Sequence, residues 1–484
     1  MGYVGWIGTY EGSRDPTKVH RMNSQIVEEL LSLGAVLFCK VPRSRHELFW
    51  RRTDHARNCH RRAFLRRCWY AREAALRATA SAKIVTQLGE TVNNIIGTTL
   101  NPMNQLLSCG GSSGGEGALQ ALRGSSVGLG TDIGGSVRIP AAFCGTYSIK
   151  PTHNRLSYRD VANTNPGQDP YASSVGVMGT TIDAIRLVIT SVLSTSPWLR
   201  DPNVVKMPWN SEAETSTLAR ANADGSASGV PLKIGIYWTD GVVTPQPPVV
   251  RGLRIIRDLI QDLKHKIVDW EPPSQTTAKR IHLAFLKADG AHDIHQQLNL
   301  SGEPLVPPLR ASFQLRDPIP LLEYQDLTIQ GKTYCEAYND YWNSTSNDDG
   351  QIVDAVVMPA APHAAVIPGQ FYHTSYTESI NLMDYSAVII PVTKADKSVD
   401  TFDHHYQQLN EVDRKNWEAC GWIMHLCDHS DQLTKLSKAT PRLTMARLWG
   451  CKSSLASGRR RRFGQSLRFS TRRFETGASR HLYR

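Results

Sequence analysis

Apolar residues recur every three to four positions from Asn23 to Leu33, from Ile182 to Leu193 and across 250–265, spacing that predicts amphipathic helices. A further helix is expected over Glu116–Leu122, with Glu116 near its positive end. Between these lie short apolar runs at Ala35–Cys39, Val127–Gly130, Leu232–Tyr237, Val353–Met358 and Ala387–Val392. Unbroken runs of that length suit strands covered on both faces by helices. Their alternation with helices predicts an α/β chain: a single α/β/α layered domain, its central mixed sheet flanked by helices. Residues 196–230, rich in Ser, Asn, Asp, Pro and Ala, read as a surface excursion, and Gly241–Pro248 as a turn-rich stretch.

The charge changes this picture in two places only. The chain has 484 residues and a net charge of +11, which on its own suggests an acidic partner such as nucleic acid. Residues 43–83, however, hold eleven Arg and one Lys against three acids, and residues 420–484 hold fourteen basic residues against three acids. The remainder is net acidic, so the basicity belongs to two segments and not to the fold. Phe64, Trp69 and Tyr70 form no stacking-module pattern, and no nucleic-acid partner is expected. The nine cysteines are odd in number and scattered, which suits free thiols in a reducing compartment. The first residues have no positive stretch followed by an apolar core, and no run of about 18 apolar residues exists. A cytoplasmic chain with no membrane contact is expected. Cys420, His425, Cys427 and His429 fit no standard zinc spacing, so no metal is expected.

The chemistry concentrates between Gly110 and Pro151, GGSSGGEGALQALRGSSVGLGTDIGGSVRIPAAFCGTYSIKP. Two Gly-flanked serines, Ser112 and Ser136, stand either side of a helix-like run and a strand-like run. A serine hydroxyl needs a nearby proton acceptor and fixed donors for the developing oxyanion. Flanking glycines permit φ > 0 and let a substrate carbonyl approach backbone N–H groups. Thr131–Ser136 therefore reads as a nucleophile on a turn whose own amides form an oxyanion hole. GGSSGG alone could equally be a phosphate-cradling loop or a linker, but no Gly-Lys-Ser/Thr follows it, and its spacing does not fit a dinucleotide fingerprint.

GGSSGGEGAL followed by GLGTDIGGSVRIPAAFCG resembles the amidase signature family, serine hydrolases with a Ser–Ser–Lys triad. WTDGVVTPQPPVVRGL, MPAAPHAAVIPG and YTESINLMDYSAVIIPVT extend the likeness toward fungal general amidases of the acetamidase type. The resemblance spans most of residues 1–40, 88–195 and 230–418. It implies that Ser136 is the acyl-forming nucleophile and Ser112 the bridging serine, preceded by a cis peptide bond. It further implies an oxyanion hole from the amides of Ile133, Gly134, Gly135 and Ser136. Asp132 and Arg138 would brace the loop through charge-assisted hydrogen bonds. The substrate would be a small-molecule carboxamide, with no cofactor. A homodimer is left open.

The triad lysine belongs, in the family, to a G-x-P-x-x-x-K-D motif just upstream of a segment resembling Gly2–Gly8. No residue here occupies its place. Lys40 matches a different family lysine, Lys18 lies in a polar run, and Lys150 sits in an Ile-Lys-Pro-Thr turn. His363, in a Pro-flanked loop, is a candidate substitute base, although packing is the commoner role for such a histidine. Tyr147, Phe371 and Tyr372 are candidates to line the acyl pocket. The resemblance stops over an Arg-rich insertion at about 41–86 and again after Glu418. Residues 1–418 are thus expected to form the domain, and 419–484 a disordered basic tail. Both foreign segments read as out-of-frame or non-coding sequence carried into the chain. Two functions compete: an amidase, or an inactive remnant that keeps the binding pocket.

Overall fold

The computed structural model describes residues 23–37, 89–93, 97–161, 167–222, 230–299, 302, 304–346, 350–426 and 442–449. Eight strands form one mixed sheet: β1 (Val127–Asp132), β2 (Tyr147–Lys150), β3 (Ser174–Gly179), β4 (Lys233–Ile236), β5 (Lys266–Asp269), β6 (Ala355–Pro359), β7 (Ser386–Lys394) and β8 (Arg442–Trp449). Their order across the sheet is β1-β3-β2-β7-β8-β6-β4-β5. Pairing is antiparallel from β1 through to β6, and parallel among β6, β4 and β5.

The helices are α1 (Gln25–Ser32), α2 (Gly114–Ala121), α3 (Arg138–Cys144), α4 (Ile182–Ser194), α5 (Ser211–Asn222) and α6 (Pro247–Asp262). They continue with α7 (Gln275–Leu286), α8 (His292–Asn299), α9 (Leu321–Ser344), α10 (Ser375–Leu382) and α11 (Glu411–Leu426). Strand periodicity sends alternate residues to opposite faces. On β6, Val356 and Met358 join the core that holds Phe143 of α3 and Tyr376 of α10, whereas Ala355 and Val357 pack with Leu253 and Ile260 of α6. On β3, Met178 belongs to the first core, while Val175 and Val177 meet Ile185 and Ile189 of α4. The sheet is therefore buried on both faces, the layered α/β arrangement that the apolar runs imply.

Three expectations are corrected. The excursion at 196–230 contains a helix, α5. Ala221 joins the core beside α6, and ion pairs fasten the helix further: Glu212 and Glu214 stand in the first turn, Arg186 pairs with Glu214, and Arg220 grips Asp354 at 2.8 and 2.7 Å. Residues 35–37 of the strand expected at Ala35–Cys39 lie outside any strand, and the rest of that run lies outside the described residues. The segment expected to be a disordered tail contributes the end of α11 and the whole of β8, which pairs with β6 on one edge and β7 on the other. Backbone pairing on two edges satisfies the strand's N–H and C=O groups whatever the charge of its side chains. Lys18, Lys40, the Arg-rich insertion and the zinc candidates Cys427 and His429 lie outside the described residues.

Candidate active site

Both serine loops sit where a strand hands over to a helix. The first runs from the short strand Asn104–Ser108 through Cys109–Ser113 into α2. Gly110 takes φ +79°, and the Gly111–Ser112 peptide is cis. A side chain at Gly111 would bring its Cβ within 2.1 Å of the Glu90 carbonyl, so only glycine lets the chain lie against that segment. Thr91 ties the turn together: its hydroxyl donates to the Gly110 carbonyl at 2.8 Å and accepts from the Gly114 N–H at 3.2 Å.

The second loop leaves β1 at Asp132 and enters α3 at Arg138. Asp132 and Arg138 are fully buried. The Asp132 carboxylate accepts the backbone N–H of Gly135 at 2.8 Å and of Val137 at 3.1 Å, so it closes the loop on itself. Arg138 donates to it through Nε at 3.0 Å and Nη2 at 2.9 Å, and the Asn381 amide adds a bond at 3.0 Å. Burial works to raise this carboxyl, but the charge and hydrogen bonds of Arg138, with those from Val137 and Asn381, hold it well below the usual carboxylate range. Arg138 also bonds the Thr377 carbonyl at 3.0 Å and the Asn381 side chain, which fastens the loop to α10. Gly135 takes φ +128°, and a Cβ there would stand 2.5 Å from Thr377 Oγ1.

The two loops meet directly. The Ser113 N–H donates to the Ser136 carbonyl at 2.9 Å. Ser112 and Ser136 are each 3% exposed, so both hydroxyls lie in a nearly closed setting. Ile133, Gly134 and Ser136 donate their amides to no described residue, as an oxyanion hole requires. Gly135 departs from the expected set, because its N–H is taken by Asp132.

A family comparison adds the decisive observation: the amidase family model matches residues 75–410, well over half of the chain. The chain belongs to the amidase family. It is 40% identical over 326 residues to an acetamidase of Aspergillus oryzae, covering 67% of this chain and 59% of the relative. An acetamidase of Emericella nidulans is 38% identical over 328 residues, with 67% and 58% covered. Among solved structures, fatty acid amide hydrolase superposes with a TM-score of 0.65 at 25% identity, over 75% of this chain and 60% of that one. The chain thus spans about three-fifths of the length of the curated relatives it matches.

Within this amidase fold, the buried lysines among the described residues are engaged away from the serines. Lys150 donates to Asp384 at 3.0 Å and to the Tyr385 carbonyl at 3.1 Å, and burial lowers its pKa. Lys233 donates to the carbonyls of Thr345 and Gln351. His363 sits edge-on between Phe143 and Phe371, with ring centroids 5.4 and 4.9 Å away, and burial pushes its pKa down to about 3. That environment suits a packed neutral ring, the commoner of the two roles weighed for it. The three pocket aromatics are not brought together: Phe371 belongs to the core beside α3, Tyr147 packs against the opposite core with Val177, and Tyr372 is exposed. Missed altogether were Tyr171, His282, Thr377 and Asn381, which hold the carbonyl side of the second loop. Only Thr377 and Asn381 carried a signal, their i, i+4 spacing on one helix face. No described helix is long and apolar enough to cross a membrane.

Proposed function

We propose that this chain hydrolyses the C–N bond of a small carboxamide through an acyl-enzyme on Ser136. The observation that carries the reading is the Ser113–Ser136 backbone bond, which joins the two serine loops while the Asp132 carboxylate fixes the nucleophile's turn. Ser136 Oγ attacks the amide carbon and Ser112 relays its proton. The oxyanion is met by the amides of Ile133, Gly134 and Ser136, with Gly135 serving the turn instead. Collapse of the tetrahedral species passes that proton on to the leaving nitrogen, releases ammonia and leaves an ester on Ser136, which water cleaves to the carboxylic acid. No cofactor takes part. The acetamidase names of the relatives favour a short acyl group.

The relayed proton needs a base to hold it until the nitrogen leaves. In the family that the chain resembles, this base is the lysine of a G-x-P-x-x-x-K-D motif. The second reading, a retained pocket without turnover, is favoured by the commitment of Lys150 and Lys233 to other partners. General-base assistance is worth about 10²–10⁴-fold, so its absence is measurable. Purified chain is incubated with acetamide or benzamide and assayed for ammonia, with Ser136→Ala as control. Turnover lost in the variant supports the enzyme; a folded chain that releases no ammonia supports the second reading. Cys109, Cys144 and Cys335 are free thiols, which suits a cytoplasmic setting.

A further inference from the structure

The peptide unit between Ile133 and Gly134 is held from its carbonyl side. The Ile133 carbonyl accepts a hydrogen bond from the Tyr171 hydroxyl and a second, at 3.0 Å, from His282 Nε2. A carbonyl oxygen can only accept, so Nε2 carries a proton. The Tyr171 and His282 rings lie 4.2 Å apart between centroids, so the two donors brace one another. Beyond the ring, Glu378 Oε1 of α10 stands 3.6 Å from His282 Nδ1, and His282, Glu378 and the body of Tyr171 are shielded from solvent. Burial works to raise the Glu378 carboxyl, but the facing His282 and then Lys279 pull it below its ordinary value, so it stays an anion.

The chemistry of the amide links these contacts to the serine loop. The Ile133 C=O and the Gly134 N–H belong to one conjugated unit, which is planar. Donors on the oxygen draw electron density toward it and leave the N–H a stronger donor, since hydrogen bonds in a chain polarise one another. They also fix the plane, and therefore the direction in which the N–H points. We propose that His282 and Tyr171 are positioning residues that orient and polarise the Ile133–Gly134 peptide, with the Glu378 carboxylate facing the imidazole, so that the Gly134 N–H serves as an oxyanion donor. This rests on the amidase reading for the use of that N–H, but not for its polarisation. The next peptide is held likewise, with Thr377 Oγ1 on the Gly134 carbonyl at 2.7 Å, yet its N–H on Gly135 is already bonded to Asp132. Of the two supported peptides, only Ile133–Gly134 keeps its N–H available to a substrate.

Two readouts test this on the full chain. Labelling isoleucine with carbonyl-13C and glycine with 15N selects the four Ile-Gly peptides, Ile7-Gly8, Ile96-Gly97, Ile133-Gly134 and Ile234-Gly235. The Gly134 peak is the one lost in Gly134→Ala. His282→Ala and Tyr171→Phe should each shift that peak upfield, because a weaker pull on the carbonyl weakens the N–H, while the Gly235 peak stays in place and reports a folded sheet. His282→Gln, which keeps a donor, should restore most of the shift. In the ammonia assay His282→Ala should lower kcat by about 10- to 100-fold with KM little changed, short of the loss of about 10²–10³ from deleting an oxyanion donor outright. A Gly134 peak unmoved by both variants overturns the proposal, as does a change confined to KM. If the wild-type chain releases no ammonia, the amidase reading fails, and the Gly134 shift alone then decides whether His282 and Tyr171 act on this peptide.

Discussion

Arg138 lies against Asp132 with two hydrogen bonds, of 3.0 and 2.9 Å, and neither side chain reaches solvent. A buried pair of this kind adds little net stability over an apolar pair, but breaking it strands a charge. Arg138→Leu leaves the carboxylate facing two backbone N–H groups and Asn381 alone. It should destabilise the fold by about 3–5 kcal/mol in urea unfolding. A loss under about 1 kcal/mol would mean that the N–H groups alone satisfy the anion.

Gly135 is the point at which the turn tolerates no side chain. Its φ of +128° and the 2.5 Å approach of Thr377 Oγ1 make Gly135→Ala both strained and crowded. The variant should lose about 1–3 kcal/mol and all measurable ammonia release. Retained turnover would show that the loop can re-form around a methyl group.

Glu90 gives the stability a pH dependence of defined sign. Both of its carboxyl oxygens accept from the Gly369 N–H at 3.0 Å, and burial pushes its pKa up to about 7 against that bond. Between the ordinary value and about 7 the folded chain holds a proton that the unfolded chain has lost, so this group's contribution falls as pH rises through that window. Glu90→Gln, which keeps an acceptor for Gly369, should therefore gain on the wild type by about 2–3 kcal/mol between pH 5 and pH 8. Urea midpoints measured at both pH values check this; parallel behaviour of the two proteins would refute it.

Lys150 separates a structural lysine from a catalytic one. Its ammonium is committed to Asp384 and the Tyr385 carbonyl. Lys150→Met should lower the melting temperature yet leave kcat per folded molecule unchanged. A collapse of kcat in well-folded protein would make Lys150 the base that takes the relayed proton.

The serine loops were legible in the sequence because their requirements are local. Glycines at 110, 111 and 135, and an acid and an arginine at 132 and 138, lie within one stretch of chain. The support from behind was not legible. Tyr171, His282 and Thr377 reach Ile133 and Gly134 from 38, 149 and 243 residues away, and beyond the spacing of Thr377 and Asn381 on one helix face nothing in their own neighbourhoods marks them. Apolar runs located β1, β4, β6 and β7, whereas β2, β3, β5 and β8 are interrupted by glycine or polar residues and left no continuous apolar trace. The helix α5 escaped because ion pairs to Arg186 and Asp354 help to hold it, and such pairs leave no periodic apolar trace.

The position of β8 divides the sheet into two sets of strands. On one side stand β1, β3, β2 and β7, which include the strand that launches the Ser136 loop; on the other stand β6, β4 and β5. No other described strand bridges them, so the latest part of the chain to join the sheet governs whether its two halves share one hydrogen-bonded ladder. During synthesis the earlier strands emerge first with β6 and β7 each lacking a neighbour, two open edges awaiting the same partner. A chain ended after Leu426 would keep every residue of the serine loops and still be left with a cleft sheet prone to self-association.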